Sequence, residues 1–128
     1  ALGLREAVTF VGVQDDAAML ERLLAANVFV LPSSIENSPN SLAEAMLVGV
    51  PAVSAFVGGV PSMVGEESGV VRYQSDAPYM LADAVMSVFR DADAAADHAA
   101  KARQTAHIRH SADRNASQLV SIYSNVAR

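Results

Sequence analysis

The sequence predicts an α/β fold, with a parallel sheet of about four strands flanked by helices. Two observations carry that expectation. Short apolar runs alternate with stretches of helical periodicity, the order that builds a parallel sheet with helical crossovers. A hydrophobic share of 52% over 128 residues is enough to bury a core on both faces of such a sheet.

Taken in order, Val8-Thr9-Phe10-Val11-Gly12 reads as a first buried strand. Asp15-Asp16 offers an N-cap, and Met19, Leu20, Leu23 and Leu24 then recur on one helical face. Val28-Phe29-Val30-Leu31 is the clearest strand, a continuous β-branched and aromatic run ended by Pro32. A polar loop follows through Asn37. Ser38-Pro39 has the form of an N-cap with proline at the first helical position. That helix carries Leu42, Ala45 and Met46 and stops at Gly49, with Pro51 just beyond. Residues 52–55 make a third strand, Gly58-Gly59 a tight loop, and residues 69–73 a fourth strand. From Pro78 the chain turns helical, with Leu81, Val85, Val88 and Phe89 on one face. An alanine-rich helix is expected over residues 93–107. A last helix starts near Ser111 and is expected to bury Leu119, Ile122, Tyr123 and Val126.

Composition narrows the function classes. The length fits one domain. A net charge of −5 argues against a nucleic-acid footprint, which needs a basic stripe. The absence of cysteine removes disulfides, thiolate metal sites and thiol nucleophiles, and suits the cytoplasm. No apolar run reaches the roughly 18 residues of a membrane span. The first residues lack a signal-peptide pattern and a starting methionine, so the chain is expected to be a piece of a longer protein.

Ligands of open parallel sheets bind beyond the carboxyl ends of the strands. The loops at residues 13–15, 32–38, 56–62 and 74–77 are therefore the candidates. The second brings Glu36, then a helix N-terminus whose amides at Asn40, Ser41 and Leu42 could hold a phosphate. Glu44 follows in the same helix, and ionised carboxylates accept hydrogen bonds from sugar hydroxyls. A purely structural alternative stands beside this one: Ser41 and Glu44 fit an S-x-x-E capping box, and Glu36 fits a solvated loop. His107 and His110 are better read as surface helix residues than as a metal site, and Arg103, Arg109 and Arg114 as a solvated face. No G-x-S-x-G elbow marks a hydrolase.

At these residues the sequence resembles the group 1 (family 4 type) retaining glycosyltransferases, whose two Rossmann-like domains face across a cleft in the GT-B arrangement. Their second domain carries E-x7-E, the spacing of Glu36 and Glu44. The surroundings match in order: Val28-Phe29-Val30-Leu31-Pro32-Ser33 before the motif, Leu42-Ala43-Glu44-Ala45-Met46 with Gly49-Val50-Pro51 after it, then Val57-Gly58-Gly59-Val60-Pro61. Residues 8–12 and 119–123 fit as well. The sequence departs from the pattern at Asn37-Ser38-Pro39, where many relatives have glycine or an aromatic residue after the first glutamate. It departs again at Ser62, where many have glutamate.

The resemblance implies a donor site for a UDP- or GDP-linked sugar, used without a metal. Glu36 would contact donor-sugar hydroxyls near the reacting carbon, as the catalytic residue. Glu44 would bind the ribose, the amides of Asn40, Ser41 and Leu42 the diphosphate, and Gln14 would lie beside the base. The chain would then be the C-terminal part of a Rossmann-like donor domain, with the acceptor domain and the first two strand–helix units absent. Alone it is expected to be inactive. In the usual 3-2-1-4-5-6 strand order, residues 8–12 would be the third strand and residues 28–31 the fourth. Each would lack an inner neighbour, so altered pairing or association of two copies is expected. The acceptor, in such relatives a surface polysaccharide or glycolipid, is left open. Peripheral membrane binding would belong to the full-length protein. A sugar-nucleotide epimerase and a non-catalytic nucleotide-binding domain are the alternative functions.

Overall fold

The computed structural model describes residues 3–126. Among them, helices α1 (Asp16–Ala25), α2 (Asn40–Val48), α3 (Val60–Met63), α4 (Pro78–Arg90), α5 (Ala92–Arg109) and α6 (Ala112–Val126) surround strands β1 (Phe29–Leu31), β2 (Ala52–Ala55) and β3 (Val71–Tyr73). The strands form one parallel sheet in the order β1-β2-β3. Val30 is in register with Val53, and Val53 in turn with Val71.

Side chains alternate between the two faces of a strand, and the core divides accordingly. Leu31, Ala52 and Val70 lie in one apolar cluster with Leu42 and Met46 of α2 and Ala102 and Ala106 of α5. Val53, Ala55 and Tyr73 lie in a second, with Ala84 and Val88 of α4. The sheet is thus covered on both faces, as parallel sheets require. Helix α1 packs on α2 through a small cluster of Leu23, Ala45 and Val50. Gly69 is what lets α5 come close: a methyl group there would collide with the backbone of α5 at His98.

The local signals explain the helix ends. Asp15 caps α1 by accepting from Ala18 N at 2.9 Å, and Asp91 caps α5 by accepting from Ala94 N at 2.9 Å. Ser111 Oγ accepts from Arg114 N at the start of α6. Gly49 ends α2 in the left-handed region, φ 89°, as the Gly-x-Pro exit predicted.

Three expectations are corrected. Residues 8–12 are not a strand, so the sheet has three strands rather than about four. Phe10 is 94% exposed, and no described strand lies beside this segment to complete a ladder. An apolar run needs a partner to become a strand, and here it has none. Nor do the remaining strands pair in an altered order: they follow the sequence, leaving the outer edge of β1 open among the described residues. Finally, α6 forms but buries nothing. Leu119, Ile122, Tyr123 and Val126 are all exposed, Tyr123 by 68%.

Candidate functional site

Parallel strands place all their carboxyl ends on one side. The loops after β1, β2 and β3 meet there and are tied together by specific bonds. Gly59 N donates to Glu36 O at 2.9 Å, joining the second loop to the first. Ser34 Oγ lies 3.1 Å from Asp76 Oδ1, donating across to the third. Phe56 N donates to Tyr73 O at 2.9 Å, joining the second to the third. Arg72 stacks its guanidinium over the Phe56 ring, 4.9 Å from the centroid.

The first contact is intimate enough to dictate sequence. A Cβ at Gly58 would overlap the carbonyl of Glu36, and a Cβ at Gly59 would overlap the carbonyl of Asn37. Gly58 also sits at φ +52°, which side chains rarely adopt. The glycine pair is therefore the floor against which the Glu36 loop rests.

Helix α2 begins immediately after that loop. Its N-cap is Pro39, and no side chain caps the helix. The expected Ser38 cap is not made: the helix starts one residue later, and the Ser38 hydroxyl instead points to Met63 Sδ at 3.5 Å. The S-x-x-E capping box is absent too, because Ser41 lies inside the helix rather than at its cap. The first-turn amides, those of Asn40, Ser41 and Leu42, have no intrahelical acceptor. The first such bond goes from Ala43 N to Pro39 O, at 3.3 Å. Leu42 is fully buried and anchors the turn, Asn40 is exposed and Ser41 half-buried. Glu44 stands on the exposed side of α2, while its neighbours Ala43 and Ala45 are buried. Glu36 is half-buried.

Gln14 belongs to a different neighbourhood. Its amide donates to Val11 O at 2.7 Å and Val13 O at 3.0 Å, and its oxygen accepts from Arg22 Nε at 2.8 Å. These bonds fix the entry to α1 and bring Gln14 to none of the three joined loops.

Three residues to which the sequence assigned no role at the site contribute. Asp76, at φ 60°, bonds Ser34 from a left-handed turn. Tyr73 is held above its ordinary pKa by burial and, secondarily, by the nearby Asp76 carboxylate. Arg109, read as part of a solvated face, donates through Nη1 to Ser62 O at 2.8 Å. Its partner is 47 residues away, beyond the reach of any local spacing signal. A cleft of about 1350 Å³ at the outer edge of β3, lined by Arg72, His98 and Lys101 among others, includes neither Glu36 nor Glu44. Among the described residues no group of three or more His, Cys, Asp or Glu could hold a metal ion. No described helix is long and apolar enough to cross a membrane.

This architecture is that of glycosyltransferase structures of the GT-B type. The family model described as glycosyl transferases group 1 matches residues 1–105, and the chain belongs to that family. The chain is 28% identical, over 99% of its length, to N-acetyl-alpha-D-glucosaminyl L-malate synthase from Bacillus anthracis, of which it covers 33%. A shorter stretch, 45% of the chain, is 45% identical to the Vi polysaccharide biosynthesis protein VipC/TviE of Salmonella typhi and covers 10% of it. Sucrose-phosphate synthase from Thermosynechococcus elongatus superposes with a TM-score of 0.84 at 28% identity, over 96% of this chain and 31% of that one. HepE of Anabaena, solved in complex with UDP-glucose, superposes with a TM-score of 0.85 at 25% identity, over 97% and 34% respectively. The chain thus spans about a third of the length of the relatives it matches end to end.

Proposed function

We propose that this chain forms part of the donor-binding domain of a retaining glycosyltransferase that draws a sugar from a UDP- or GDP-linked donor. One observation carries the reading. The Glu36 loop runs directly into a helix whose first-turn amides no side chain caps. A diphosphate is a fitting partner for such amides, by charge and by donor count. In this reading Asn40, Ser41 and Leu42 bind the diphosphate through their N–H groups. Glu44 accepts from the ribose hydroxyls, and Glu36 accepts from donor-sugar hydroxyls near the reacting carbon. Gln14, beside the base, keeps that role only if the ligand reaches the entry to α1. Leaving-group charge is met by amides aimed at the diphosphate, the kind of preorganised stabilisation that lowers a barrier most. Family membership supports the chemistry, and the UDP-glucose complex of HepE supports the ligand class.

The acceptor half and the first two strand–helix units would belong to the longer protein, and with them the remaining diphosphate ligands. The chain alone is then inactive. The test is turnover: the longer protein should transfer sugar from a nucleotide sugar with retained anomeric configuration, and the 128-residue chain should not. Robust transfer by the chain alone, or inverted product, would contradict this reading.

A further inference from the structure

Helix α3 is one turn long, and an isolated turn has little stability of its own. It also has no side-chain cap and follows two glycines. Yet it touches the candidate site twice. Gly59, its N-cap, donates to Glu36 O, and Met63, its last residue, receives the Ser38 hydroxyl. Because the glycine backbone lies against the carbonyls of Glu36 and Asn37, any displacement of α3 must displace the Glu36 loop. Val60, Met63 and Val64 share an apolar cluster with Ala102 and Ala106 of α5. Apolar contact is non-directional, so it holds α3 down without fixing where it sits along α5. The directional bond comes from Arg109, in the last turn of α5, through the 2.8 Å donation to Ser62 O. A charge-assisted bond to a carbonyl is stronger than a neutral one. Asn115 of α6 closes the chain of contacts by donating to Arg109 O at 3.2 Å.

We propose that Arg109 is a positioning residue for the donor site, acting through α3 on the backbone of Glu36. Its significance for catalysis rests on the proposed role of Glu36; the strut itself does not. Two measurements separate the two. Amide hydrogen exchange on the 128-residue chain reads the strut. Arg109→Met keeps the aliphatic stem and removes the donor, so exchange at Gly59 N–H should rise about tenfold while amides of β2 stay as they were. Arg109→Lys, which can still donate, should restore most of the protection. Unchanged Gly59 exchange in Arg109→Met, or acceleration of β2 and Gly59 together, would overturn the proposal. Steady-state kinetics on the longer protein read the consequence. Arg109→Met should lower kcat about tenfold with little change in KM for the nucleotide sugar, since the α2 amides are untouched. Glu36→Gln serves as the reference. If it leaves kcat intact, the assignment of Glu36 fails while the exchange result still decides the strut. If Glu36→Gln lowers kcat and Arg109→Met does not, the catalytic role of Arg109 fails alone.

Discussion

Glu36 lies in the loop before α2 and Glu44 within the helix, and their environments set different expectations for each. Glu36 is half-buried and its backbone is clamped by Gly59. Glu36→Gln in the longer protein should lower kcat by about a hundredfold, the scale of losing a well-placed charged group, with the fold unaffected. Glu44 is exposed and free of the capping role its sequence context allowed. Glu44→Gln should weaken nucleoside diphosphate binding about tenfold by calorimetry, as expected when a charged hydrogen-bond acceptor is lost. Gly59→Ala places a methyl group on the Asn37 carbonyl. It should cost about 2 kcal/mol or more in urea denaturation. Tyr73 gives a pH signature. Burial first, and Asp76 second, raise its folded pKa, so the stability tied to its neutral form is complete below pH about 10 and lost as pH rises through the raised value. Tyr73→Phe should remove that part of the alkaline loss. A helix beginning between Glu36 and Glu44 and ending at Gly49 was legible in the sequence because proline and glycine act locally. It hid Arg109 and the Ser34–Asp76 bond because their partners lie 47 and 42 residues away.

Elements divided the same way. Asp15, Gly49 and Ser111 each mark a helix end as their local signals led one to expect, whereas Ser38 does not cap α2. Asp91 does the same for α5, and Asp91→Ala should cost about 1 kcal/mol by thermal denaturation through loss of the cap. Where an element depends on what covers it, periodicity misled. Residues 8–12 have the composition of a strand and no neighbour to make them one. The apolar side of α6 has the spacing of a buried face and nothing described to bury it. The short α3 escaped notice because a single turn carries no periodicity at all.

For the whole molecule, three layers follow from the alternation of apolar residues in β1, β2 and β3, each face having its own helices. The parallel order was legible in the alternation of strands and helices; the number of strands was not, because a ladder is a property of pairs. The open edge of β1 and the bare face of α6 both favour association. Sedimentation of the chain should show an average mass that rises with concentration, and a constant monomer mass would dismiss self-association. The contact between Gly58-Gly59 and Glu36-Asn37 has a further meaning for anyone who would redesign this protein. The two loops are parts of one mould. A graft that swaps the segment around Glu36 alone sets a reshaped backbone onto a floor cut for another shape. Successful chimeras should therefore be those that move both segments from the same parent, and libraries built on either loop singly should be depleted of folded members.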